Sequence, residues 1–311
     1  MQKEYDARIF AASKKIISFD QTRVVHEATT DLTGVFWIAW NEESSVFLTA
    51  SERNLIVWDG LLGSTTQRLS NIMGEEITAC CLDDRMRKIV IGDNVGRIHV
   101  YNPANGVLMK SCVDDVHETV VDLQYICSTR RFVAGYANGL IRIFDESALD
   151  DCPLIRNFDD FNRHPELLAL RYSEEDAKTV ASVGGASEFV RLWDVGSGKC
   201  EVEIMACEPS ESIVTLSYLG SESIIVTSDS RGNIVFWGGR SSRLEFCTIT
   251  IFSVCIALCL DCTDNCTFRF YNRLFRYAAK RIAGFMNHTT YLSVLEPRKR
   301  PMNPDEKELP R

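Results

Sequence analysis

Five times along this chain a short apolar run closes on an aromatic residue, at Trp58, Tyr101, Phe144, Trp193 and Trp237, with intervals of 43, 43, 49 and 44 residues. The runs are "NLIVWDG", "GRIHVYNP", "GLIRIFDE", "EFVRLWDVGSGKC" and "GNIVFWGG". A period of this kind means that one supersecondary unit recurs, and that no unit buries its apolar surface without its neighbours. Within a period the chain breaks into four short runs, as in "VVDLQYI", "RFVAGYA", "GLIRIFD" and "PLIRNF" between residues 120 and 158. Runs rich in Val, Ile and aromatics and bounded by Gly, Asn, Asp and Ser are strands. Many are apolar at consecutive positions, which predicts sheets packed on both faces. The expected fold class is therefore all-β, built from repeated four-stranded sheets.

The spacing and the anchors resemble the WD40-repeat β-propeller family, whose blades are about 40 to 45 residues long. The resemblance runs from about Phe10 to Phe252. It implies five complete blades at about 28–70, 71–113, 114–160, 161–206 and 207–252, preceded by a partial blade at 1–27. Glycines five positions before the anchors, Gly96, Gly139 and Gly232, suit the turn between second and third strands, where a positive φ is often needed. The resemblance makes Phe19, Trp58, Tyr101, Phe144, Trp193 and Trp237 structural blade anchors. It gives His117 and His164, 27 and 29 residues before their anchors, the family's place ahead of the first strand; His26, 32 before Trp58, fits less well. In the family such a His joins a turn Asp, a Ser or Thr and the anchor Trp in one hydrogen-bonded network. Here the turn position six before each anchor holds Glu52, Val95, Asn138, Ser187 and Arg231, so the network is expected to be incomplete. A metal or catalytic role is the alternative for His117 and His164, but their repeated placement favours a structural one.

The ends depart from the period. "RIFAASKKIISFDQTRVVHE" supplies second, third and fourth strands with no first strand, and the apolar run "VCIALCL" (254–260) is the candidate to complete that blade and close a ring of six. The propeller domain is then 1–260. The competing reading is a piece of a longer product, since "TDNCTFRFYN" (263–272) offers another anchor, Tyr271, only 34 residues after Trp237. In the atypical segment 261–311, a helix is expected at 268–286, with Phe270, Leu274, Tyr277, Ala278 and Ile282 along one stripe, followed by a disordered tail. Arg269, Arg273, Arg276, Lys280 and Arg281 make residues 269–281 basic and suited to an acidic partner.

Charge and composition narrow the function. A formal charge of -9 opposes nucleic-acid backbones, whose binding needs clustered Lys and Arg. The first ten residues, "MQKEYDARIF", have no apolar h-region, so a cytoplasmic location and reduced, core-packed cysteines are expected. The apolar run 246–260 is too short to span a bilayer. Cys255, Cys259, Cys262 and Cys266 lack the spacing of two close pairs that a zinc site takes. No phosphate loop, His-Glu-x-x-His, Gly-x-Ser-x-Gly or calcium-loop pattern occurs, so no catalytic, cofactor or metal residues are assigned. Acidic pairs such as Asp83-Asp84, Asp114-Asp115 and Asp159-Asp160 are expected in solvated loops. What remains is a non-catalytic scaffold that presents propeller loop faces to protein partners. Within the family, "FWIAWNEESSVFLTASERNLIVWDG", "GYANGLIRIFDE" and the H-x-x-L-L-x-L-x-Y-S run at 164–173 resemble the long WD-repeat proteins of cilia and flagella. That resemblance implies an axonemal scaffold. The alternative is a substrate receptor of a cullin-RING ubiquitin ligase, for which "WGGR" (237–240) is an imperfect match.

Overall fold

The computed structural model describes residues 8–12, 15–20, 23–29, 35–41, 44–60, 62–112, 115–158, 166–173, 178–185, 187–207, 211–219, 224–230, 233–238, 245–250 and 293–294. The closing run 254–260, the helix expected at 268–286, His164, Gly232 and the four cysteines from Cys255 to Cys266 lie outside the described residues, as do Asp114, Asp159 and Asp160. Two compact units divide the chain, Met1–Glu203 and Ile204–Arg311.

Every regular element among the described residues is a strand. The first unit opens with β1 (Arg8–Ala12), β2 (Lys15–Asp20) and β3 (Arg23–Thr29), an antiparallel sheet in that order. A four-stranded sheet follows: β4 (Trp37–Asn41), β5 (Val46–Ser51), β6 (Asn54–Asp59) and β7 (Thr65–Ser70). The next comprises β8 (Ile77–Leu82), β9 (Ile89–Asp93), β10 (Ile98–Tyr101) and β11 (Leu108–Ser111). Then come β12 (Val120–Ile126), β13 (Arg131–Tyr136), β14 (Ile141–Asp145) and β15 (Leu154–Asn157). A further sheet holds β16 (Leu167–Tyr172), β17 (Thr179–Gly184), β18 (Phe189–Asp194) and β19 (Cys200–Met205), the last strand running across the unit boundary. In the second unit β20 (Ile213–Leu219), β21 (Ile224–Asp229), β22 (Asn233–Gly238) and β23 (Glu245–Thr250) repeat the arrangement, and β24 (Ser293–Val294) pairs with β23. All are antiparallel meanders in sequence order. This all-strand, multi-sheet architecture fits a β-propeller-like fold.

Burial in the first unit follows the strand's place in its sheet. The second strands are apolar at consecutive positions and are buried throughout in β9 and β17, whereas the fourth strands β7 and β15 are largely exposed. The sheets stack through their first strands. An added Cβ at Gly135 on β13 would overlap the Leu167 side chain of β16, so this glycine sets how closely the next sheet approaches. Thr78 on β8 donates its hydroxyl to the Val120 carbonyl of β12 at 2.6 Å, and Leu170 N–H on β16 donates to Asp122 Oδ2 on β12 at 2.9 Å.

The repeat also recurs as a backbone irregularity. The pairing of third with fourth strand shifts register at Val57/Trp58, Val100/Tyr101, Ile143/Phe144 and Phe236/Trp237, and the N-terminal sheet shows the same shift at Ser18/Phe19. A bulge there bends the outer strand at the anchor. The turn glycines differ in what they tolerate. Gly96 takes φ +94°, and a Cβ on it would collide with the Val116 carbonyl oxygen, a backbone atom that cannot rotate away. Gly96→Ala is expected to lower stability by about 2–4 kcal/mol, from backbone strain plus overpacking. Denaturant midpoints of the two proteins measure it, and an unchanged midpoint would refute the turn geometry.

Candidate interaction surface

The anchor residues are built into the sheets. Trp58 and Trp193 are buried, and each indole N–H donates to a hydroxyl on the second strand of its own sheet: Trp58 Nε1 to Thr49 Oγ1 at 2.9 Å, Trp193 Nε1 to Ser182 Oγ at 2.7 Å. In the second unit the half-buried Trp237 donates to Thr227 Oγ1 at 2.9 Å. Trp58 stacks on Phe47 at 5.7 Å between ring centroids, and Trp193 meets Phe158 at 5.6 Å. Where the anchor is not Trp the solution differs. Tyr101 donates its hydroxyl to the Ile72 carbonyl at 3.0 Å, while Phe144, with no polar atom, is fully buried and stacks on Phe132 at 5.3 Å. His117 is exposed ahead of β12, in the repeat whose anchor is Phe144. Phe19 lies on β2.

Buried carboxylates that the sequence reading missed brace these sheets. Asp93, the last residue of β9, is 0% exposed; its Oδ1 accepts the N–H groups of Val95 and Arg97, and its Oδ2 accepts Arg97 Nε at 2.7 Å. It stands eight residues before its anchor, as Asp229, also buried, does in the second unit. Two repeats thus carry a buried aspartate as the last residue of the second strand. Asp83 corrects another expectation: instead of lying in a solvated loop it is buried, its Oδ1 accepting N–H from Arg87 and Lys88 at 2.7 and 2.8 Å. Burial pushes its carboxyl up, against the pull of those two N–H groups.

A denser polar cluster joins the β8–β11 and β12–β15 sheets. Glu146, 2% exposed, accepts Lys88 Nζ on Oε1 at 2.5 Å and the Tyr125 hydroxyl on Oε2 at 3.1 Å. Lys110 Nζ lies 3.4 Å from the same Oε1 and also donates to the carbonyls of Glu146 and Ala148. Burial first, and then the Glu146 charge, push the Tyr125 phenol well above its ordinary value. Lysines, a carboxylate and a phenol that satisfy one another in this way hold two sheets together.

The outer strands of the same two sheets carry exposed apolar residues among their polar ones. β11 and β15 are the edge strands of their sheets, and they expose Leu108 (47%), Met109 (44%), Leu154 (37%) and Ile155 (42%), flanked by Val107 and Leu149. The corresponding strand β7 reads TTQRLS and has no such pair. Long apolar side chains on a sheet edge invite pairing with another chain. Among the described residues no helix is long and apolar enough to cross a membrane.

No family model matches the chain. Over 190 residues, 61% of this chain, the sequence is 20% identical to "Cilia- and flagella-associated protein 337 B" of Tetrahymena thermophila. The matched stretch is 15% of that protein's length.

Proposed function

We propose that this chain is a WD40-type propeller segment that serves as a non-catalytic protein-interaction scaffold in a ciliary or flagellar assembly. The observation that carries the scaffold reading is the exposed apolar pair on each of two neighbouring edge strands, Leu108 and Met109 on β11, Leu154 and Ile155 on β15. The WD40 reading is supported by the repeat near 44 residues and by the Trp-to-hydroxyl bonds of Trp58, Trp193 and Trp237. The ciliary setting is supported by the name of the Tetrahymena relative. The mechanism is docking of protein segments on loops and outer edges, with the buried clusters keeping those edges in fixed positions.

Proximity labelling with the tagged chain in a ciliated cell tests the reading. Axonemal proteins are expected among the labelled set, and a Leu108→Glu/Ile155→Glu variant that still folds is expected to lose most of them. Recovery of cullin-ligase adaptors instead would establish the ubiquitin-ligase receptor. Recovery of neither set would overturn both.

A further inference from the structure

Cys112 follows β11, and Cys152 lies two residues before β15, so the two belong to the outer edges of neighbouring sheets. The structure brings them together. They face each other across an isolated parallel bridge, with Cys112 N–H bonded to the Ile98 carbonyl at 2.9 Å and Cys152 N–H to the Ser111 carbonyl at 3.2 Å. Bridge partners sit about 4.8 Å apart, within the roughly 4.4–6.8 Å between Cα atoms that a disulfide spans. Both are free cysteines. Cys152 is fully buried and Cys112, half-buried, packs against the same apolar cluster.

We propose that Cys112 and Cys152 are a reversible oxidation site, closing to a disulfide that staples the outer edge of the β8–β11 sheet to that of the β12–β15 sheet. The co-reactant is a hydroperoxide, small enough for a site with one buried and one half-buried sulfur. One sulfur, as thiolate, attacks a peroxide oxygen, breaking the O–O bond and releasing hydroxide, which takes up the proton that sulfur gave up. The second sulfur attacks the sulfenic sulfur, the S–S bond forms as the S–O bond breaks, and the hydroxyl leaves as water with the second thiol's proton. In sum two thiols lose two electrons and two protons, one S–S bond forms, and hydrogen peroxide is reduced to two waters.

The surroundings distinguish the two sulfurs, with Cys152 the better placed to form the thiolate. Cys152 and burial push the Cys112 thiol far up, whereas the neighbouring Cys112 draws the Cys152 thiol below its ordinary value, burial opposes this, and Lys110 and Lys88 assist against Glu146. By contrast Cys80 is a buried core thiol that burial alone pushes far up. The cross-link closes a loop of about 40 residues.

The test treats the full chain with hydrogen peroxide, alkylates the remaining thiols under denaturing conditions and maps a non-reducing digest by mass spectrometry. The expected product is a linked peptide pair containing Cys112 and Cys152, lighter by two hydrogens and split by dithiothreitol. The thermal midpoint of the oxidised protein is expected to rise by about 5–10 °C, and a Cys112→Ser/Cys152→Ser variant should show no rise. If Cys112 and Cys152 both remain open to alkylation at a dose that oxidises the exposed Cys127, the proposal is overturned, whatever the variant does.

Discussion

Trp193→Ala is expected to remove about 3–5 kcal/mol of stability, the range for truncating a large buried aromatic. Trp193 is fully buried at the end of β18, its ring set against Phe158 and its indole N–H spent on Ser182, itself fully buried. Two losses add in the alanine variant: the apolar area with the cavity left behind, and the partner of a hydroxyl that water cannot reach. Trp193→Phe separates them. It keeps most of the ring's packing and removes only the donor, so about 1–3 kcal/mol is expected. Replacing Ser182 by Ala in that background should recover part of the loss. Trp237, half-buried with the same kind of bond to Thr227, should tolerate truncation better than Trp193. Denaturant unfolding of the four variants checks the order. Equal losses for Trp193→Phe and Trp193→Ala would show that the hydrogen bond, not the packing, dominates.

These Trp-to-hydroxyl bonds also show what the sequence made legible. The third strands could be read directly, because each is a local apolar run with a turn before it and an aromatic at its end: β6, β10, β14, β18 and β22 all carry the anchor at or next to their last residue. Their hydroxyl partners could not be read at one fixed spacing. Thr49, Ser182 and Thr227 lie 9, 11 and 10 residues before their tryptophans. The hairpin loops explain this, since β5 and β6 are joined by residues 52–53, β17 and β18 by 185–188, and β21 and β22 by 230–232. Register across the hairpin is constant, and loop length moves the partner along the sequence. A position six before the anchor is thus a different place in each turn, which is why Asp93 and Asp229 were missed at the strand ends.

Burial of charge was the harder property. Asp83 and Asp84 are identical as letters, yet one is buried and the other exposed. What decides it is the turn that aims the Arg87 and Lys88 amides at the Asp83 carboxylate. Glu146 depends on Lys88, 58 residues away, and Cys112 depends on Cys152 in the next repeat. Local pattern specifies a strand; only the stacking of one sheet on the next specifies these pairs.

Glu146→Ala is the corresponding test of that stacking, and a loss of about 3–5 kcal/mol is expected. The carboxylate is 2% exposed and serves three donors, Lys88, Lys110 and Tyr125, that come from both sheets. Its removal leaves Lys110, only 12% exposed, with backbone carbonyls but without the carboxylate it lies against. Stranding a buried ammonium costs more than the pair contributed when intact. Glu146→Gln keeps the shape and one acceptor, so it should fall between wild type and alanine. Lys88→Met should cost less than Glu146→Ala, since Lys88 is the more exposed lysine and Lys110 still neutralises the carboxylate. The Glu146→Gln/Lys88→Met double variant should lose less than the sum of its single changes, because both act on one contact. High salt should leave these differences standing, as a buried pair is screened far less than a surface one. If salt erased them, the cluster would be a solvated surface pair, and the two sheets would be held by their apolar contacts alone.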